Sequence, residues 1–224
     1  MTNKKVLAII TLIFIVSSIT TGSFASAKKD DNDAVRFVSS FGSFGSDNGQ
    51  FAVPQGIALD KSGNIYVTDI SNSRVDVFDS KGNFVFKFGT FGSGPGKFGD
   101  PQGITVDESG NIYVVDDSHS KVEKFNSSGN LLLQFGTYGS GDGQFKDPND
   151  IALGKSGKIY VTDLLNNRVE IFDSKGNFVS KFGTFGPGDG QFADPLGIAV
   201  DKSGNIYVVD QNNERVEIFS TDNN

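Results

Sequence analysis

Four acidic and four basic side chains recur at one spacing along the chain and could form ion pairs. Each basic residue follows its acid by five positions, and each pair is repeated after 47 residues. Such pairs either brace a loop or present a ring of alternating charge to a ligand. Because a pair recurs in every copy, we predict bracing. The predicted pairs are Asp69–Arg74, Asp116–Lys121, Asp163–Arg168 and Asp210–Arg215.

The single histidine, His119, lies beside Ser118, Asp117 and Asp116, the residue types of a hydrolase triad. Triads are defined by geometry in space, and neighbours along one loop rarely adopt it. We therefore expect a solvated loop histidine and no catalytic residue. The 224-residue chain has no cysteine, which excludes disulfides and cysteine-based zinc sites, and we predict neither a metal nor a cofactor.

These residues belong to a 47-residue repeat that occurs four times. Gly49-Gln50-Phe51 returns as Gly96-Lys97-Phe98, and again near residues 143 and 190, without insertion. The repeats cover 49–95, 96–142, 143–189 and 190–220. Each holds four strand-like segments, which we call a to d, separated by Gly-Asn turns. Strand b is apolar on both faces, as expected of a blade packed between two other blades.

The pattern predicts an all-β fold, a β-propeller of four four-stranded antiparallel blades. The fourth repeat lacks a strand d, but residues 35–42 match that strand, with Phe37 47 residues before Phe84. We expect this N-terminal strand to pair with residues 215–219 and close the last blade. A closed monomer, a ring shared by two chains and a strand-swapped dimer all remain open.

The motifs PQGIALD, GNIYVTD and RVDVFD between Pro54 and Asp79 resemble the NHL repeat. The resemblance covers residues 35–220. It implies a propeller of a family that includes protein- and RNA-binding modules of ubiquitin ligases, extracellular sensor domains of bacterial kinases and a peptide-amidating lyase. A RING domain or a histidine-ligated metal site cannot be built from one histidine and no cysteine, so neither a ligase nor that lyase activity is expected here.

The resemblance and the repeat place variable loops on one rim of the propeller, where a rigid frame would present a binding face. Leu164 and Leu165 are candidate contacts in the b–c loop of the third repeat, and His119 lies in the b–c loop of the second. Copy three also replaces Gln55-Gly56 by Asn149-Asp150. At the mouth of the axial channel, Asp150 either stabilises a turn or, with Gln55, Gln102 and Asn149, binds a polar ligand or a cation.

The N-terminus carries Lys4 and Lys5, an apolar stretch from Val6 to Val16 and the small residues Ala25-Ser26-Ala27. This is typical of a secretory signal peptide over residues 1–27, followed by a disordered leader over 28–34. An uncleaved membrane anchor is the alternative. We thus expect a secreted or cell-surface protein.

The net charge of −7, without a basic cluster, argues against nucleic acid as a partner. The sequence favours a non-enzymatic binding scaffold for a protein, peptide or glycan, as a monomer or dimer. A lyase or hydrolase with its site at the channel mouth is the alternative.

Overall fold

The computed structural model describes residues 35–221, and the predicted signal peptide and leader lie outside these residues. Within the described residues, the structure holds no helix that is long and apolar enough to cross a membrane. The chain divides into two units at Val38, and the propeller lies in the unit that begins at Ser39.

The fold is all-β, with four antiparallel sheets that follow one another as the blades of a propeller. Within a blade, strands pair in chain order, with the first innermost. Blade 1 contains β1 (Pro54–Leu59), β2 (Ile65–Asp69), β3 (Arg74–Phe78) and β4 (Phe84–Phe88). Blade 2 contains β5 (Pro101–Val106), β6 (Ile112–Asp116), β7 (Lys121–Phe125) and β8 (Leu131–Phe135).

A two-residue parallel pair joins blades 2 and 3, formed by β9 (Thr137–Tyr138) and β10 (Gln144–Phe145). Blade 3 contains β11 (Pro148–Leu153), β12 (Ile159–Asp163), β13 (Arg168–Phe172) and β14 (Phe178–Phe182). Blade 4 contains β15 (Pro195–Val200), β16 (Ile206–Asp210) and β17 (Arg215–Phe219). The predicted fold class, a propeller of antiparallel blades, is confirmed.

The predicted closure of blade 4 is not present. Residues 35–43 form no strand, and β17 has no fourth strand beside it within the described residues. The apolar residues Val216 and Ile218 on blade 4 stay 58 % and 63 % exposed, as do Ile57 and Leu59 on blade 1 at 67 % and 63 %. These faces would have to meet in a closed four-bladed ring. The four blades instead form an open arc.

Aspartate side chains shape the turns between strands a and b. In blade 1, Asp60 Oδ1 accepts hydrogen bonds from the backbone N–H groups of Ser62 at 2.8 Å and Asn64 at 2.9 Å. Gly63 adopts a φ of +82°, which a residue with a side chain rarely adopts. In blade 3, Gly154 stands at the position of Asp60, and the turn is a 3-10 helix over Lys155–Gly157 instead.

The core lies between blades, in three clusters of apolar side chains. In the cluster between blades 2 and 3, the ring of Phe172 lies 4.7 Å from that of Phe135 and 5.6 Å from that of Phe145. Phe172 is 1 % exposed, so its contacts are made in the absence of water. Packing between neighbouring blades therefore stabilises the fold, since each sheet has two apolar faces and cannot bury them alone.

Truncating a phenylalanine in such a cluster should be costly. Phe172→Ala removes a buried ring and leaves a cavity, so we expect a loss of about 3–5 kcal/mol in the free energy of unfolding in urea. The control is Phe185→Ala, at a phenylalanine that is 75 % exposed, where little loss is expected. Equal losses in the two variants would show that the core does not lie between the blades.

Candidate functional site

One rim of the propeller is built by the b–c loops and the links that run from strand d to the next strand a. The backbone joins them in every blade: the N–H of Ile70 donates to the carbonyl of Val53 at 2.9 Å, and the N–H of Leu164 to that of Asp147 at 2.9 Å. The opposite rim carries the short a–b and c–d turns. The expected separation of variable loops from repeated turns is thus present in the fold.

The aspartate that ends each strand b holds the link against the blade. Asp163 Oδ1 accepts from the backbone N–H groups of Lys146 at 3.0 Å and Asp147 at 3.3 Å. Asp116 accepts from Gly99 and Asp100 in the same way. All four aspartates are fully buried. Their carboxylates are therefore used in binding the backbone and are closed to a ligand.

The basic residue that begins strand c binds the same link from the other side. Arg168 donates from Nη1 to the carbonyl of Ser140 at 2.8 Å, and from Nη2 to those of Gly141 at 2.9 Å and Gln144 at 2.6 Å. Arg215 makes the equivalent three bonds in blade 4. A planar guanidinium suits this task because it offers several donors in one fork. These residues therefore brace the rim.

Three of the four predicted ion pairs are present. Arg168 Nε lies 3.3 Å from Asp163 Oδ2, and Arg215 Nε lies 2.8 Å from Asp210 Oδ2. In blade 2, Lys121 Nζ lies 3.6 Å from Asp116 Oδ2. The structure therefore supports a bracing role for these pairs.

The predicted pair Asp69–Arg74 is wrong. Arg74 Nε binds Asp76 Oδ2 at 2.7 Å instead. Blade 1 carries the short Asp76 where the other blades carry Glu123, Glu170 and Glu217, and this carboxylate draws the Nε group toward strand c. Asp69 keeps its bonds to the N–H groups of Ala52 and Val53.

His119 occupies a position that belongs to asparagine in the other three blades. Asn166 Nδ2 donates to Asp163 Oδ2 at 2.6 Å and to the carbonyl of Gly139 at 2.9 Å, and Asn72 and Asn213 do likewise. His119 Nδ1 lies 2.8 Å from Asp116 Oδ2. The histidine thus takes over one bond of the asparagine, and its Asp–His contact is part of the brace.

The strand-c carboxylates form a second buried acidic position, which the sequence analysis did not identify. Glu170 is fully buried, and its Oε1 lies 2.8 Å from Arg168 Nη2. Burial raises the pKa of Glu170 to about 7, against the opposing effect of Arg168. The signal was available, because an acid follows the basic residue by two positions in every repeat.

Two aspartates on the rim, Asp117 and Asp147, interact between blades 2 and 3, with a protonated Asp117 as the hydrogen-bond donor. Burial raises the pKa of Asp117 to about 7, and the negative charges of Asp147 and Asp100 add to the effect. The pKa of Asp147 is also raised, and burial is the largest cause. No spacing rule pointed to this pair, because the two residues meet only when the link packs on the loop.

The channel mouth brings together the four residues predicted there. Gln55, Gln102, Asn149 and Asp150 line a cavity of about 390 Å³, together with Leu196 and Val209. Asp150 Oδ1 accepts from the N–H of Ile151 at 2.8 Å, and Oδ2 accepts from the N–H of Ile198 at 3.0 Å. The carboxylate therefore links blade 3 to blade 4. Of the two alternatives for Asp150, this geometry resembles the stabilising role, although the bond reaches a strand of the next blade and not only the local turn.

Leu164 and Leu165 lie in a short 3-10 turn over Leu164–Asn166 at the rim. Leu165 is 57 % exposed, whereas Leu164 is half-buried. Two backbone hydrogen bonds hold the turn. The N–H of Leu164 donates to the carbonyl of Asp147 at 2.9 Å, and the N–H of Asn167 donates to the carbonyl of Leu164 at 3.0 Å. Leu165 thus stands on a fixed backbone as an apolar side chain in water. Within residues 35–221, no three His, Cys, Asp or Glu residues are grouped so that they could hold a metal ion.

The fold and this rim define a β-propeller with a braced loop face. The family described as a 6-bladed beta-propeller matches residues 55–134 and 141–223, and the chain belongs to that family.

Two curated relatives from Caenorhabditis elegans match locally. The B-box type zinc finger protein ncl-1 is 48 % identical over 44 residues, which is 20 % of this chain and 5 % of that protein. Protein lin-41 is 45 % identical over 47 residues, 21 % of this chain and 4 % of that protein. The chain therefore spans only a small part of the relatives it matches.

Solved structures share the fold at low identity. A streptogramin B lyase aligns at a TM-score of 0.58 with 16 % identity, over 76 % of this chain and 55 % of that one. A nidogen/laminin complex aligns at 0.58 with 22 % identity, over 76 % and 60 %. An auxiliary nutrient binding protein from Bacteroides thetaiotaomicron aligns at 0.58 with 17 % identity, over 73 % and 46 %. The chain spans about half the length of these structures.

The bracing role of His119 can be tested by substitution. His119→Asn places the residue of the other three blades at this position, so we expect an unchanged or slightly raised melting temperature. His119→Ala leaves a buried carboxylate oxygen of Asp116 without this partner and should cost about 1–3 kcal/mol in the free energy of unfolding. Equal losses in the two variants would contradict the role.

The raised pKa of Asp117 predicts a pH dependence of stability. The folded-state pKa of Asp117 lies near 7, above the ordinary 3.8 of the unfolded chain. Its stabilising effect is thus complete below about pH 4 and is lost as the pH rises through 7. Asp117→Asn should therefore raise stability at pH 8 by on the order of 1 kcal/mol, or roughly 2–4 °C in melting temperature, and by less at pH 5. Asp189→Asn, at an exposed aspartate, is the control; an equal gain at both pH values would argue against the shift.

Proposed function

We propose that this protein is an exported, non-enzymatic binding scaffold that holds a protein or peptide partner on its b–c and d–a rim. The proposal rests on a difference between the buried charged side chains of the rim and its exposed apolar side chain. The buried aspartate and arginine of the brace are engaged with the backbone, while the exposed Leu165 is held on a fixed turn. A rigid frame that presents side chains on loops is the usual basis of a binding face.

The charge of the rim favours a partner with basic groups. Asp100, Asp147 and Asp194 lie on the d–a links, and the whole chain carries −7. An acidic surface speeds association with a cationic partner, and an exposed apolar side chain on the same rim supplies a contact that excludes water. A glycan is the other partner class compatible with such a face, and the test separates the two.

The sequence motifs further support assignment of the repeat to the NHL type. The local identities to ncl-1 and lin-41 extend over 44 and 47 residues, the length of one repeat. The N-terminal pattern supports export, because a basic start, an apolar stretch and small residues before position 28 are the parts of a secretory signal.

The lyase-type alternative finds less support at the two residues whose types first suggested a polar site, Asp150 and His119. One similar structure is a streptogramin B lyase, at 16 % identity. In this chain, however, both oxygens of Asp150 at the channel mouth accept backbone hydrogen bonds, and His119 contacts Asp116. A general acid or base must reach its substrate, so the geometry favours binding.

The test is capture from the extracellular fraction by the immobilised protein, compared with two single variants. Leu165→Ser removes the exposed apolar contact and should reduce recovery of the partner about tenfold. Leu132→Ser is the matched control, since Leu132 is 54 % exposed but lies on the outer strand β8.

Protease treatment of the fraction distinguishes a protein or peptide, whose capture is abolished, from a glycan, whose capture persists. Equal capture by the wild type and by Leu165→Ser would overturn the proposed face. A mature N-terminus at Lys28, read by mass spectrometry of protein from the medium, would support export. Protein that retains residue 1 or 2 would contradict cleavage.

A further inference from the structure

The arc of four blades ends in two apolar faces that have no partner within the described residues. We call the exposed side of blade 1, formed by Ile57 and Leu59, the leading face. The exposed side of blade 4, formed by Val209, Val216 and Ile218, is the trailing face. At each position the equivalent residues of the other blades are buried or half-buried. The repeat thus shows what each face packs against when it is covered.

The leading face is one half of an ordinary contact between blades. Ile57 is 67 % exposed, whereas its equivalents Ile104, Ile151 and Ile198 are 6 %, 3 % and 9 % exposed. Each of these isoleucines packs in a core cluster with the preceding blade. The leading face therefore lacks only a preceding blade.

The trailing face is the other half of the same contact. Val216 is 58 % exposed, whereas its equivalents Val75, Val122 and Val169 are fully buried. These valines pack against the isoleucine face of the next blade. The two end faces are thus complementary to each other, and neither is complementary to itself.

The residue types on the two end faces match those at the junction between blades 2 and 3. At the junction between blades 2 and 3, Val115 packs in the same cluster as Ile151, with Leu153 against it. The trailing face carries Val209 at the position of Val115, and the leading face carries Leu59 at the position of Leu153. A contact of blade 4 with blade 1 would therefore repeat a junction that this chain already forms.

The segment before blade 1 is already placed as the last strand of a preceding blade. The ring of Phe41 lies 4.6 Å from that of Phe78 and contacts Gly82. Phe88 contacts Phe125 and Gly129 in the same way, with the rings 4.8 Å apart, and Phe88 ends strand d of blade 1. Residues 39–41 therefore stand where strand d of the blade before blade 1 would end.

We propose that a second copy of this chain supplies the missing blade at each end. The leading face of one copy packs on the trailing face of the other, and residues 39–41 of each copy lie beside β17 of its partner. Both junctions form together in a head-to-tail pair, giving a ring of eight blades. This exceeds the six blades by which the matching family is described, but it lies within the range of about four to eight known for propellers. Three copies would exceed that range.

The first measurement is the native mass of the protein as it is purified, by light scattering after gel filtration. The expected mass is twice the chain mass that mass spectrometry gives for the same sample. A mass of one chain would overturn the proposal. So would a filament, or a complex that contains a different protein.

Substitutions on the end faces should separate the copies without unfolding them, because these side chains are exposed within one chain. Ile57→Asp on the leading face and Ile218→Asp on the trailing face should each give monomers with an unchanged β-sheet spectrum. Val179→Asp, at an outer valine that is 52 % exposed, should remain dimeric. Dimers that persist in both end-face variants would overturn the proposal.

Mixing the two monomeric variants tests the head-to-tail arrangement. A dimer of Ile57→Asp with Ile218→Asp retains one junction in which neither face is substituted, so the mixture should recover dimers that neither variant forms alone. Failure to recover any dimer would contradict two different faces in contact.

A disulfide then distinguishes a second copy from closure within one chain. The register of β3 with β4 pairs Val77 with Phe86, and the repeat carries this pair over to Ile218 and Ser39. The natural chain has no cysteine, so the two introduced residues are the only thiols. The double variant Ser39→Cys with Ile218→Cys should therefore oxidise to a species of two chains on a denaturing gel. A crosslinked species of one chain would show self-closure and overturn the proposal, and Ser39→Cys with Val179→Cys is the control.

Discussion

Apolar contact between neighbouring blades is the interaction on which the rest of this structure depends. Each blade is a sheet with two apolar faces, and each face is covered by a neighbour rather than by a layer of helices. Val75, Val122 and Val169 are fully buried for this reason alone. Since each blade is stable only through its neighbours, the geometry of the rim is fixed by the same contacts that bury the core.

The bracing network follows from that requirement. The links between blades cross from an outer strand to an inner one, and their N–H and carbonyl groups lie at the ends of packed sheets, where burial without partners would be costly. The strand-b aspartate accepts from the N–H groups, and the strand-c arginine donates to the carbonyls. The strand-b aspartate and the strand-c arginine can be buried here because the link satisfies their hydrogen bonds.

Much of this architecture could be predicted from the sequence, because the repeat fixes what is local. The strands, the Gly-Asn turns, the rim of variable loops and the residues at the channel mouth all follow from a period of 47 and the rules of turns. That blade 4 stays open could not be predicted, because the angle between blades is set by packing and no residue spacing encodes it. The departure at Arg74 was equally hidden, because it depends on Asp76 being one methylene shorter than glutamate.

The departures from the repeat also gain a physical interpretation. His119 first suggests catalysis and Asp150 a ligand site, yet His119 completes a bond that the repeat needs, and Asp150 adds a bond between blades where the other blades carry glycine. Asp150 binds the N–H of Ile198 across a blade junction, and His119 contacts the same aspartate oxygen that asparagine binds elsewhere. A residue inside the brace must keep its hydrogen bond to the strand-b aspartate, as His119 does. A residue at the tip of a braced loop makes no such bond, and its side chain can differ between blades. Leu165 lies at such a tip, which is where the proposed recognition of a partner would take place.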